Sequence, residues 1–302
     1  MIRAQAERQG ALGIERMCRL ADVSRAGYYR CWRASEPARE ETALRDEVQR
    51  LSLAHRFYGY RRITALLRQA GWAVNRKRVQ RIRQTDNLLC LKGRSFRPAT
   101  TDSRHRFAVY PNLAREMVPT AANQLWVADI TYVRLAEAFV YLAVILDAWS
   151  RRVIGWALAD HLRKELSLAA LEMALAARAV VAGELVHHSD RGVQYACTAY
   201  IERLIAAGIQ PSMSRVGCPW DNAIAESFMR TLKLEEVDGS NYRNQDEVKA
   251  GIEPFIEQVY NRQRLHSALA YRPPVTFEAD RKRLLRPPHA ADAIEAGETM
   301  CV

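Results

Sequence analysis

Over the first third of the chain apolar residues recur three or four positions apart, the period of a helix with one buried face. Ile14, Met17 and Leu20 form one such stripe, and Ser24 stands where an N-cap opens a second short helix over 24–33. Leu44, Val48 and Leu51 mark a longer helix over 38–55. A helix pair follows: Tyr60, Ile63 and Leu67 share a face, Gly71 ends the run, and Asn75 caps the segment NRKRVQRIRQ. In that last helix Val79 and Ile82 turn inward, while Arg76, Lys77, Arg78, Arg81 and Arg83 surround the rest. A short helix, a glycine turn and a basic second helix make the helix-turn-helix pattern.

Residues 93–124 lose this period and carry Pro98, Pro111 and Pro119 among polar positions, as a linker does. Then the texture changes. LWVADITYVRL (125–135), AFVYLAVILDAW (138–149) and RVIGWALAD (152–160) are rich in β-branched and aromatic residues and predict three consecutive strands. An Ala-rich helix over 164–181, a short strand LVHHSD, a helix near 195–207 and a fifth strand IQPSMS (209–214) come next. Pro219 and Asp221, the latter as N-cap, open a long helix reaching about residue 236. Three strands followed by alternating helix and strand predict an α/β mixed sheet flanked by helices, the order of a ribonuclease H-like core, behind an N-terminal all-α region. The expected division is 1–92 helical and helix-turn-helix-like, 93–124 linker, 125–280 catalytic core and 281–302 tail.

Charge sharpens this division. Residues 1–120 hold 25 Lys and Arg against 11 Asp and Glu, whereas residues 121–302 hold 20 against 23. A basic half joined to a slightly acidic half implies a module that grips a polyanion, DNA above all, beside one with another task. The six cysteines form no CxxC pair, which argues for reduced thiols and against disulfides or structural zinc. No stretch approaches the roughly 18 apolar residues of a membrane span, and MIRAQAERQG lacks a signal-peptide core. A soluble, cytoplasmic protein is expected.

Three acids occupy costly places. Asp129 lies inside an apolar strand and shares its face with Val127 and Thr131; Asp190 ends the fourth strand; Glu226 sits on the helix DNAIAESFMRTLK. A carboxylate beside core positions needs a compensating cation, and oxygen ligands suit Mg²⁺ or Mn²⁺. One face of that helix also carries Asn222, Arg230 and Lys233, an amide and two cations suited to DNA phosphates. Asp147 also ends a strand, but Arg151 and Arg152 follow it and a turn role suffices. In HHSDRGVQY, His187 and His188 point to opposite faces and cannot share one metal, and no nucleophile-turn motif is present. His187, His188 and Ser189 are scaffold, and Arg191-Gly192 forms the exit turn that leaves room for DNA.

The motifs WVADITY, ILDAWSR, HSDRGVQY and PWDNAIAESFMRTLKLE resemble the integrase-type (DDE) core of bacterial insertion-sequence transposases, in particular the second-frame (OrfB) product of two-frame elements. YNRQRLHSALAYRPP (260–274) is similar to that family's closing motif, with Leu265 where proline is usual before His266. The resemblance implies a catalytic, metal-binding trio of Asp129, Asp190 and Glu226 with Lys233 near the scissile phosphate. It also implies two Mg²⁺ (or Mn²⁺) ions about 3.5–4 Å apart, and cleavage and strand transfer at the element's ends. Implied partners are the terminal inverted repeats and target DNA, further copies of the chain, and the first-frame (OrfA) product, fused or separate. A catalytically dead DNA-binding regulator and a ribonuclease H-like nuclease without strand joining stay open as alternatives.

Overall fold

The computed structural model describes residues 14–22, 24–26, 39–91 and 107–285, and the chain divides into two compact units, Met1–Leu91 and Lys92–Val302. In the first unit α1 spans Ile14–Leu20, α2 Arg39–Ala54, α3 Tyr60–Gln69 and α4 Arg76–Thr85. The helix expected over 24–33 lies largely outside the described residues. Leu44 and Val48 of α2, Ile63 and Leu67 of α3, and Val79 and Ile82 of α4 are buried, so each apolar stripe faces the other helices. Gly71 ends α3 with φ of +88°, a conformation glycine adopts without steric cost. The Asn75 side chain accepts the Lys77 N–H at 2.9 Å and caps α4. Arg83 departs from the expected basic surface. It is buried, and its guanidinium donates to the carbonyls of Leu88 and Tyr58 at 2.9 and 2.8 Å, satisfying two acceptors left by the flanking turns.

The second unit is built on β1 (Leu125–Arg134), β2 (Phe139–Asp147), β3 (Val153–Ala159), β4 (Val186–Ser189) and β5 (Gln210–Met213), in the order β3-β2-β1-β4-β5. The β1–β2 and β2–β3 pairs are antiparallel; β1–β4 and β4–β5 are parallel. Alternation along β1 sends Leu125, Val127 and Val133 to one side and Trp126 and Ala128 to the other, and each set anchors a separate core. α5 (Lys164–Ala177), the single turn α6 (Val193–Ala196) and α7 (Thr198–Ala206) cover the second side. α8 (Ala223–Leu232) and α9 (Gln245–Pro254) cover the first. Gly155 lets α5 lie close on β3: a Cβ there would collide with the Ala170 carbonyl and with Ala174. No described helix is long and apolar enough to cross a membrane.

Several elements differ from the sequence expectation, each for a local reason. The helix near 195–207 is broken at Cys197, whose ψ of 145° is extended. The long helix from Pro219 is three pieces: a 3₁₀ turn Pro219–Asn222, α8, and a π turn Lys233–Val237. Asp221 is therefore no N-cap; it accepts the Arg215 N–H and guanidinium at 2.9–3.0 Å and holds the preceding loop. Residues 107–124 form no helix or strand, yet they are fastened to the sheet, Leu113 N–H donating to Ser212 Oγ and Asn123 N–H to Asp147. The closing motif continues a π-helical stretch Phe255–Gln263, in which Asn261 exchanges both backbone hydrogen bonds of Val153 at 3.0 Å. A last helix, α10 (Pro274–Leu285), runs through the boundary expected at residue 280. Residues 286–302 lie outside the described part.

Candidate active site

Strand pairing brings the first two acids together. β1 and β4 run parallel, with Leu125, Trp126 and Val127 opposite Val186, His187 and His188. Two residues further along each chain stand Asp129 and Asp190, at neighbouring places where β4 ends and the strands part. Asp190 is shaped by the turn that follows: its Oδ1 accepts the Gly192 N–H at 2.9 Å, and a Cβ on Gly192 would crowd that same oxygen at 3.0 Å. The third acid arrives on α8. Asn222 Nδ2 donates to the Ala128 carbonyl at 2.9 Å, tying the helix start to the strand one residue before Asp129. Glu226 follows one turn later and is exposed.

The electrostatics report the same gathering. Asp129 is pushed up to about 8 from an ordinary 3.8, first by burial and then by the Asp190 charge, with Glu226 adding to it. The Ile130 N–H, 2.9 Å from Asp129 Oδ1, and the Lys233 ammonium act in the opposite direction. Lys233 stands at the start of the π turn with its Nζ 4.2 Å from the centroid of the Tyr132 ring, a cation–π contact. Burial lowers its pKa, while Asp238 and Asp129 hold it up. Tyr132 had no sequence signal for this role, because β1 and the end of α8 meet only in the fold.

The remaining sequence-predicted residues divide. Arg230 is exposed one turn beyond Glu226. Arg76, Lys77 and Arg81 are exposed and Arg78 is half-buried on the outer side of α4, in the other unit. Asn222 is a correction: it is buried and tied to Ala128, and its Oδ1 has no hydrogen-bond partner, so it does not share the exposed helix face of Glu226 and Arg230. The 3₁₀ geometry before α8 turns this side chain inward, away from the face that an uninterrupted helix would give it.

The other candidates of the sequence are scaffold here. Asp147 is fully buried, and its oxygens accept the N–H groups of Asn123, Trp149 and Ser150 and the Ser150 hydroxyl, between 2.7 and 3.2 Å. His187 bonds the Tyr200 hydroxyl at 3.0 Å on one side of β4, and His188 bonds Ser212 and Ser214 at 2.8 and 3.0 Å. Burial drives both imidazoles down, to about 3 and about 4, so each is neutral at physiological pH. The Ser189 hydroxyl donates to the Asp190 carbonyl at 3.0 Å. Arg191 Nε donates to the Ser214 carbonyl at 2.6 Å, locking the turn after Asp190 to β5.

Among the described residues no three His, Cys, Asp or Glu side chains stand close enough to enclose an ion as they are. The donor chemistry nevertheless fits a divalent cation. Asp129, Asp190 and Glu226 supply only hard carboxylate oxygens, and their mutual repulsion at Asp129 is what a +2 charge relieves.

Known domain families match both units of the chain. Two models of the integrase core domain match residues 119–219 and 207–274, and an HTH-like domain model matches residues 38–96. The 31 kDa protein of insertion element IS600 from Shigella sonnei is 42% identical over 269 residues, 86% of this chain and 97% of that one. The transposase InsF for insertion sequence IS3A of Escherichia coli (strain K12) is 34% identical over 276 residues, 89% of this chain and 95% of that one. Among solved structures, the catalytic core domain of BIV integrase aligns with a TM-score of 0.41 at 15% identity, covering 54% of this chain and 97% of that one.

Proposed function

The chain belongs to the insertion-sequence transposase family of InsF, as a DDE transposase acting in DNA integration, and on that premise we propose that Asp129, Asp190 and Glu226 are its catalytic trio. The observation that carries this reading is the convergence of β1, β4 and α8, which leaves Asp129 raised to about 8 beside Asp190 and Glu226. Asp129, Asp190 and Glu226 would hold two divalent ions, Mg²⁺ or Mn²⁺, which would supply activation of a water or a 3′-hydroxyl and stabilisation of charge on the phosphoryl oxygens.

The chain's own groups do the rest. Asp190 is held in place by the Gly192 N–H, and Glu226, exposed on α8, is the third ligand of the set. Lys233, steadied on Tyr132, and Arg230 hold DNA phosphates beside the acids. Arg76, Lys77, Arg78 and Arg81 grip the DNA backbone at the terminal inverted repeats. Cutting two element ends and joining them to target DNA calls for at least two copies of the chain, with a first-frame product as fusion or partner. The work is done in the cytoplasm, on the nucleoid.

Incubation of the purified protein with pre-cleaved element-end DNA, target DNA and Mg²⁺ tests this reading. A joined product that requires the 3′-hydroxyl is expected. Hydrolysed ends without joining would point to a plain nuclease, and neither product to a DNA-binding regulator.

A further inference from the structure

Beside the start of α8 lies a cavity of about 780 Å³, within the size of small-ligand sites (about 300–1,000 Å³). Its walls include Ala223 and Ile224, so it reaches to within one turn of Glu226. Trp149, Phe277 and Trp220 line it. Trp220 is 67% exposed on the 3₁₀ turn, a large apolar surface left to water at the mouth of the cavity. Arg151 lines it as well. That residue is half-buried, no carboxylate acts on its guanidinium, and among the described residues it makes no ion pair. Desolvating a guanidinium without an anion is costly.

The backbone was bent to present it. Arg151 has φ of +62°, left-handed and strained for a residue with a side chain. The turn that holds it there is built on buried Asp147, which accepts the N–H groups of Trp149 and Ser150 while its own carbonyl accepts the Arg151 N–H at 2.8 Å. One turn thus delivers an aromatic ring and an unpaired cation to the same cavity. Arg115 and the Arg215–Asp221 ion pair line the cavity too, and the aromatic surface beside the unpaired Arg151 guanidinium matches a nucleotide, whose base stacks and whose phosphate carries the missing anion.

We propose that this cavity holds one unpaired nucleotide of the DNA being joined, its base stacked on Trp220 and its phosphate held by Arg151. The proposal rests on the transposase reading and adds a subsite to it. The nucleotide comes either from the element end or from the target strand.

Binding is measured in the Asp190→Asn background, so that no cutting or joining enters the readout. Trp220→Ala is expected to weaken DNA binding by roughly 5- to 100-fold, the usual effect of losing one base–aromatic stack. That penalty disappears on DNA lacking one particular base within a few nucleotides of the joining phosphate. Separate series of abasic element-end and target DNAs identify which strand supplies it. Arg151→Gly, which also relieves the positive φ and so preserves the turn, lowers the slope of log affinity against log salt by about one. Unchanged affinity in Trp220→Ala, or a penalty that persists on every abasic DNA, overturns the stacked base. An unchanged salt slope in Arg151→Gly overturns the phosphate contact. A Trp220→Ala protein that changes oligomeric state but not its base dependence overturns the proposal in favour of a surface between copies. Failure of the joining reaction leaves these binding results intact, so the two readings fail separately.

Discussion

Replacing Asp129 by asparagine should stabilise the metal-free protein while removing its chemistry. The carboxyl sits at about 8 in the folded chain against an ordinary 3.8. A folded pKa raised above the unfolded value means that the native state must retain a proton the unfolded chain releases. Stability is therefore undiminished below about pH 4, falls as pH rises, and levels off above about pH 8. Each unit in that window costs at most about 1.4 kcal/mol. Solvent reaching the partly exposed site and relaxation of the neighbouring acids bring the expected total to about 2–4 kcal/mol. In a unit of this size that corresponds to roughly 5–12 °C in Tm. The assay is thermal melting of chelator-treated wild-type and Asp129→Asn protein at each pH from 4 to 8. His187 and His188, driven down by burial, contribute stability that is lost as pH falls below about 6.5. They do so equally in both proteins and cancel in the difference. The variant's advantage should grow from near zero at pH 4 to its full size at pH 8, and Mg²⁺ or Mn²⁺ should raise the wild-type Tm alone. Parallel melting curves across the whole range would show that the folded chain holds no extra proton at Asp129.

Four further outcomes follow from the packing and the surface charge. Asn222→Ala should cost about 1–2 kcal/mol in denaturant unfolding by orphaning the Ala128 carbonyl. In α4, Arg83→Ala should destabilise the N-terminal unit by about 2–3 kcal/mol through two lost carbonyl contacts. Arg81→Ala, by contrast, should keep stability and lower the salt slope of DNA binding by about one, read by titration at several salt concentrations. Gly155→Ala should lower stability by about 2–4 kcal/mol, read as a fall in Tm, because the new methyl meets the Ala170 carbonyl of α5 and backbone must move.

The sheet was legible because its strands carry the pattern of their burial. Alternation over 125–134 located β1, and the acid breaking that pattern at residue 129 marked the candidate site. Asp190 was legible as an acid at a strand end and Glu226 as an acid on a helix, although only the β1–β4 register and the Asn222–Ala128 tie bring them towards Asp129. What stayed hidden depends on local geometry or distant partners. The 3₁₀ turn at Pro219–Asn222 moved Asn222 from the acid face into the core, which a uniform 3.6-residue period misses. Arg83 read as one more surface cation because its two acceptors are carbonyls, invisible in a sequence. Asp147 read correctly as a turn residue, but its consequence, a strained Arg151 facing a cavity, exists only in the fold. A tryptophan in the Pro-led turn PWDN was the one available hint of that cavity.

The central claim is that three acids from three separate elements act as one unit. Its most direct test is the rate of strand joining on pre-cleaved end DNA for Asp129→Asn, Asp190→Asn, Glu226→Gln and the triple variant, each first shown to melt cooperatively and bind the DNA. Every single substitution should lower the rate at least about 10³-fold, to the level of the triple variant, because residues acting as a unit are not additive. A single variant that joins within tenfold of wild type, or losses that simply multiply towards the triple, would contradict it.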